Sequence, residues 1–356
     1  MEAKEDLERD WSSLLPEVLN LISKKLGEVS DFVRFRAVCR AWCSSNTIND
    51  LPPQFPWILE NRESPYESDP RFYSIPFGKI YTINASKSLG NMLLRPSDGY
   101  FKLYHGADEI AFLNPLNNHK ISLPAYDFDY EYSYWIGPRK NQIGKLVVYV
   151  VCFGHAEFQT PKLVSCHLGQ DKWCELNLDS DYLNCDLNSC YLFYHKHMLF
   201  NVERHTGVTK VTDIVTGNRA YVIPPIEGYL AKQVEFIVDA SRDILRVFLH
   251  YNGLYYYWFD VYRLDLIGSS SPCWVKINSI GNQALFIDAY GCFALGASDF
   301  TGIKENCIYS FKRINRIWDG PFYVVEKIDI ETGAREQLSC PLKEPALWFV
   351  PSLQRF

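Results

Sequence analysis

A chain of 356 residues with 47% hydrophobic and 22% charged side chains leaves room for a small domain beside a larger one and excludes a disordered polypeptide. Its formal net charge of −6 gives the chain as a whole no electrostatic footprint for nucleic acid, and no uninterrupted apolar run is long enough to cross a membrane as a helix. Eleven cysteines, an odd number at irregular spacing, read as reduced thiols of the cytoplasm or nucleus, not as a disulfide framework.

The N-terminal stretch MEAKEDLERDW is acidic and lacks the apolar run of a signal peptide. Helical periodicity begins after it. Leu15, Val18, Leu19, Ile22 and Leu26 recur at three- and four-residue steps and predict one apolar stripe on a helix. Pro16 suits the first turn, where its missing N–H costs nothing, and Gly27 suits the far end. Ser30 or Asp31 is the expected cap of a second helical segment, with Phe32, Phe35, Val38 and Trp42 as its apolar face.

The run VRFRAVCRAWCSS (33–45) carries Arg34, Arg36 and Arg40, which read as a solvated basic edge because acids outnumber bases over the first 60 residues. Cys39 and Cys43 stand one helical turn apart with no further ligand at zinc-finger spacing, so small buried hydrophobes is their expected role. Two or three short helices cannot enclose this many large apolar side chains. The surplus predicts a partner, or docking on the chain's own second domain.

Trp11, then Leu15-Pro16-Glu17-Val18-Leu19, Ile22 and Leu26, then Phe35-Arg36-Ala37-Val38-Cys39-Arg40-Ala41-Trp42, resemble an F-box over residues 8–50. The resemblance implies a three-helix hook inserted into the Skp-type adaptor of a cullin–RING ubiquitin ligase. It implies adaptor contacts at Leu15, Pro16, Val18, Leu19 and Ile22, with Val38 and Trp42 in or near the interface. Trp11 is expected to pack the hook internally.

Residues 51–70 hold five of the 19 prolines and predict a linker, pinned to the body through Phe55, Trp57 and Ile58. From residue 71 to 356, short aromatic or β-branched runs such as KLVVYVVCF (145–153), YLFYHKHMLF (191–200) and LYYYWFDVYRL (254–264) predict an all-β body. Within it NPLNNHKISLP (114–124), DIVTGNRAYVIPP (213–225) and DIETGAREQLSCP (329–341) repeat one strand–turn–strand–proline pattern, with weaker copies at 167–176 and 263–277. Their spacing is that of a four-stranded propeller blade and gives a β-propeller of about six blades, or seven, with a tandem β-sandwich as the alternative. Ring closure is expected from ALWFVPS (346–352) pairing with an early strand such as RFYSIP (71–76).

NPLNNHKISLP, DKWCEL and especially WVKINSIGNQALFIDAYGCFALGASDFTGIKENCIYSF (274–311) resemble the kelch-like plant domain of unknown function 295, which commonly follows an F-box. This implies a plant F-box protein of the kinase-interacting type, with a substrate-recruiting propeller and no catalytic residues. One branch of that family binds shaggy-type protein kinases, and nothing in the sequence assigns the chain to that branch.

No G-x-S-x-G elbow, H-E-x-x-H or P-loop is present, and no cofactor is expected. Cys185, Cys190, His195 and His197 form the best metal-ligand spacing but read more simply as an ordinary hairpin. DYEYSY (129–134) reads as a solvated loop or a recognition surface, and YNGLYYYWF (251–259) as blade core or recognition surface. The expectation is a non-catalytic receptor subunit of an SCF-type ligase, with a Skp-type adaptor and an unidentified protein target as partners, and no nucleic acid or membrane. The alternative is a propeller enzyme or ligand-binding protein whose helical head is a lid.

Overall fold

A computed structural model describes residues 10–60, 69–84, 91–92, 99–105, 109–125, 133–140, 146–152, 162–176, 190–228, 234–240, 243–252, 256–266, 271–288, 291–316, 320–342 and 345–353. The head consists of a 3₁₀ turn at Trp11–Ser13, then α1 (Pro16–Ser23), α2 (Val29–Ala37) and α3 (Arg40–Ser44), and a 3₁₀ turn at Ile48–Asp50. Pro16 opens α1 at its first turn as expected. The apolar face predicted to run from Phe32 to Trp42 is broken, because Cys39 is extended at φ −161° and ψ 175° and separates α2 from α3. The cap of α2 is Glu28, not Ser30 or Asp31, and the backbone N–H of Val29 finds its acceptor in the Gln54 side chain at 3.0 Å.

The body is a propeller of six sheets. The first holds β1 (Trp57–Glu60), β2 (Arg71–Ser74) and β3 (Lys79–Thr82), and the second β4 (Asn91–Met92), β5 (Phe101–His105), β6 (Glu109–Asn114) and β7 (His119–Ser122). The third holds β8 (Ser133–Lys140), β9 (Leu146–Cys152), β10 (Lys162–His167) and β11 (Cys174–Leu176), and the fourth β12 (Cys190–His195), β13 (Met198–Glu203), β14 (Thr209–Asp213) and β15 (Arg219–Ile223). The fifth holds β16 (Val234–Ala240), β17 (Asp243–Asn252), β18 (Tyr256–Asp265) and β19 (Cys273–Ile277). The sixth holds β20 (Gln283–Ile287), β21 (Cys292–Gly296), β22 (Cys307–Arg316), β23 (Gly320–Asp329) and β24 (Arg335–Leu338). The last strand, β25 (Pro345–Phe349), returns to the first sheet, whose order is β25-β1-β2-β3. At one edge of successive sheets β8, β12, β16 and β21 touch one another, so that edge faces the propeller axis.

Ring closure occurs, with a different partner from the one expected. β25 pairs with β1 through Trp57↔Phe349, Ile58↔Trp348 and Leu59↔Leu347, while both edges of β2 are taken by β1 and β3. Part of the segment expected as a linker is therefore a central strand of the first blade.

The repeated sequence pattern is the turn between the third and fourth strands of a blade. Asn114, Asp213 and Asp329 each end a third strand and accept a backbone N–H two or three residues on: Leu116 at 2.9 Å, Val215 at 2.8 Å and Thr332 at 3.0 Å. Four residues after each stands a left-handed residue, Asn118 (φ 54°), Gly217 (φ 73°) or Gly333 (φ 68°), as a type I turn closed by a bulge requires. The sixth blade departs from the antiparallel rule of the others. Its β20 pairs parallel with β22 (Ala284↔Cys307 to Ile287↔Ser310) and carries β21 as an extra strand on the axial side.

Aromatic rings fill the wedges between blades. Between the sixth and first, Phe286 stacks on Tyr309 at 4.8 Å, and Trp348 stacks on Phe311 at 4.8 Å and donates its indole N–H to the Ile287 carbonyl at 3.1 Å. In the fifth blade a fully buried Arg246 donates through Nε and Nη2 to Oε2 of Glu235 (3.0 and 2.8 Å) and through Nη1 to the Gly207 carbonyl (3.2 Å), tying the fourth-blade hairpin to the fifth.

Candidate functional site

The predicted stripe on α1 splits between two sides of the helix. Leu19 is fully buried in the head, whereas Leu15 (65% exposed), Pro16, Val18 and Ile22 face outward. Val38 is 57% exposed beside the α2–α3 break, and Trp42 is half-buried. Six of the seven residues singled out for a partner thus reach the surface, and Leu19 does not. Leu21 (64% exposed), three residues after Val18, extends the outward apolar surface along α1, and the stripe read from the sequence left it out.

Several contacts hold this surface in place. Trp42 packs on Phe35 at 4.6 Å and donates its indole N–H to the Trp11 carbonyl at 2.9 Å, so Trp11 is tied down through its backbone while its ring is exposed. Asn20 Nδ2 donates to the Ser45 carbonyl at 3.2 Å and joins α1 to the end of α3. Arg36, expected on a solvated edge, turns inward. Its Nη1 donates to the carbonyl and the side-chain oxygen of Asn46, each at 2.5 Å, and its Nη2 lies 3.5 Å from Cys43 Sγ. Arg34 remains outside, paired with Asp31 at 3.1 Å. At the exit of the head, the backbone N–H and hydroxyl of Thr47 hold the Asp50 carboxyl below the usual carboxylate range.

The inner side of the head docks on the propeller. Val29 and Phe32 of α2 are buried in one cluster with Trp57, Leu59, Phe72 and Phe349. Glu28 pairs with Lys79 of β3 at 2.7 Å, and a Cβ on Gly27 would lie 3.3 Å from the Phe77 ring in the β2–β3 turn. The head therefore sits at the end of the strands that carries the third-to-fourth-strand turns.

The hairpins between second and third strands lie at the opposite end. There β17 and β18 run for ten residues each, against six for β13 and five for β14 of the neighbouring blade. This raises the hairpin by roughly four residues, or about 13 Å, above the fourth blade. On it Tyr251 is 64% exposed, and Trp258 stacks on His250 at 5.0 Å. His250 Nε2 and Lys276 Nζ lie 3.1 and 2.8 Å from the two carboxylate oxygens of Asp260. The stretch 251–259 divides between core (Tyr257) and surface (Tyr251, Trp258), and residues 253–255 lie outside the described residues. Of DYEYSY, residues 129–132 lie outside them too, and Ser133 opens β8.

The metal-ligand spacing does not converge. Cys190 and His195 alternate onto opposite faces of β12, Lys196 at φ 56° turns the chain before His197, and Cys185 lies outside the described residues. His195 Nδ1 is instead 2.9 Å from Asp239 Oδ2. Among the described residues no three His, Cys, Asp or Glu side chains group as metal ligands. One buried titratable cluster among the described residues is structural in character. Glu326 accepts from Tyr257 Oη (2.7 Å), Lys312 Nζ (2.9 Å) and Arg335 Nη1 (2.8 Å). Burial alone would raise its pKa, but the hydrogen bonds from Tyr257 and Lys312 hold it below the usual range, which makes it a weak base.

Comparison with known proteins covers nearly the whole chain. The family model described as "KIB1-4 beta-propeller" matches residues 72–333. A probable F-box protein of Arabidopsis thaliana is 24% identical over 409 aligned positions, covering 97% of this chain and 96% of that one. An F-box/kelch-repeat protein of the same plant is 24% identical, covering 79% of this chain and 78% of its own. Among solved structures, the Cps50 (Swd1) β-propeller domain of Myceliophteria thermophila superposes at a TM-score of 0.35 with 9% identity, over 80% of this chain and 97% of that one.

Proposed function

Because the chain belongs to the KIB1-4 β-propeller family, whose F-box relatives it matches from end to end, we propose that it is the substrate receptor of an SCF-type cullin–RING ubiquitin ligase. The head takes a Skp-type adaptor on the outward surface of Leu15, Pro16, Val18 and Ile22, with Val38 and Trp42 at its rim. The propeller takes a protein target. The chain performs no chemistry of its own. It holds target lysines near a charged conjugating enzyme and so raises their effective concentration. Such a role belongs to the cytoplasm or nucleus, where the conjugation machinery works.

The observation that carries this reading is the division of α1. One side, Leu19, packs the head, while a second apolar side faces solvent although α2 has already been committed to the propeller. The target surface in this reading is the hairpin end opposite the head, with Tyr251 and Trp258 on the raised fifth-blade hairpin as anchors of the type that dominate protein interfaces.

The test is gel filtration of the full chain mixed with a plant Skp-type adaptor, alongside the double variant Leu15→Asp, Ile22→Asp. Both substituted residues are exposed, so the propeller should stay folded while binding weakens at least about 100-fold. Wild-type protein that elutes apart from the adaptor would sink the receptor reading.

A further inference from the structure

The head does more than present a surface. Ring closure rests on a short strand, β25, whose Leu347 and Phe349 are buried in the same cluster as Val29 and Phe32 of α2. Phe349 packs on Phe72 at 5.0 Å and on Phe101 at 5.3 Å, rings of the first and second blades. Beyond β25 the chain is latched to the second blade. Asn114 Nδ2 donates to the Ser352 carbonyl at 2.7 Å and Asn117 Nδ2 to the Leu353 carbonyl at 2.9 Å. Gly99 permits that approach, since a Cβ there would stand 2.9 Å from Ser352 Cβ. The α2 helix seals this junction from outside, held by the Glu28–Lys79 pair and the Val29–Gln54 hydrogen bond.

We propose that the helical head is a clasp on the propeller's ring closure, so that undocking of α2 and release of β25 are one coupled opening. A protein that binds the outward side of α1 only while the head is docked then stabilises the closed ring by mass action. The open population of β25 falls by the factor 1 + [L]/Kd, about 100-fold at a partner concentration of 100 Kd. This second consequence rests on the receptor role proposed above, whereas the clasp itself does not.

Hydrogen exchange on the full chain tests it strand by strand. Phe32→Ala should speed exchange in β1 and β25 at least about 10-fold and leave β13 and β14, across the ring, unchanged. Equal acceleration in every blade, or none in β25, overturns the clasp. If Phe32→Ala does not fold, Val29→Ala gives the same comparison. Saturating Skp-type adaptor should slow exchange in both α1 and β25. Protection of α1 without protection of β25 overturns the coupling. An adaptor that protects neither defeats the receptor role, and the Phe32→Ala comparison then still decides the clasp.

Discussion

Lys79 of β3 places its ammonium nitrogen 2.7 Å from Oε2 of Glu28, the residue that caps α2, and Glu28 is only 1% exposed. The first blade thus grips the head by a buried carboxylate, while the lysine itself is half in solvent. Because Lys79 is solvated, the pair's own attraction is modest, and the larger effect of removing Lys79 is to strand the carboxylate. Lys79→Ala should destabilise by about 1–2 kcal/mol, and adding Glu28→Gln should recover part of that loss. Urea midpoints of the two variants check it, and a double variant weaker than the single would contradict the assignment.

Leu19 and Leu15 are one helical turn apart with opposite surroundings. Leu19→Ala leaves a cavity in the small core of the head and should cost about 2–5 kcal/mol, whereas Leu15→Ala should change stability by less than about 0.5 kcal/mol. Chemical denaturation followed through the helical signal separates them.

Trp348 joins the last strand to the sixth blade by stacking on Phe311 and donating to the Ile287 carbonyl. Trp348→Ala should cost about 3–5 kcal/mol and leave the protein prone to aggregation, because the opened ring exposes strand edges. Trp348→Phe keeps a ring and loses one hydrogen bond, about 1 kcal/mol. Thermal unfolding and light scattering give the order of the two.

Asp329 shows the acid dependence expected of the repeated turn. The backbone N–H of Thr332 and the ammonium of Lys304 lower its pKa from 3.8 to about 2. A carboxyl depressed in the folded state adds stability that is fully present above its unfolded value, near 4, and is lost as pH falls through about 2. Asp329→Asn should therefore flatten the loss of stability between pH 4 and pH 2. Urea unfolding at several pH values in that window measures it, and an unchanged slope would contradict it.

Glu235 is the opposite case. Burial raises its pKa even though Arg246 pulls it down. A carboxyl raised in the folded state binds its proton more readily there, so its charged form lowers stability above that pH. Glu235→Gln strands a buried guanidinium that cannot lose its proton, so it should be tolerated no better than Arg246→Met, which strands a carboxylate able to take one up, and each should cost about 3–5 kcal/mol. Comparing the two melts at neutral pH decides it.

The head, the all-β body and a propeller of six or seven blades were legible from local properties, and only the closed ring decided for six. Helical spacing at Leu15, Val18, Leu19 and Ile22 marks α1 in any context, and the Asp213 and Asp329 turns recur because each is closed by its own side chain and its own left-handed glycine. The Asn114 turn was read correctly at one end only. That its side chain also reaches Ser352, 238 residues away, leaves no trace in the local pattern.

The amino-acid order alone determined that a helical head precedes a strand-rich body, where the repeated turns fall and that apolar surface exceeds what the head can bury. These follow from the side-chain period and from turn chemistry, which act over a few residues. Tertiary contact decided the rest. It sent Leu19 inward and Leu15 outward on one helix, drew Arg36 onto Asn46, made Trp57–Glu60 a central strand and paired it with Pro345–Phe349. Each of those outcomes depends on which surface arrives opposite a residue, and burial against a distant strand is set by the closed ring and not by the neighbours in sequence.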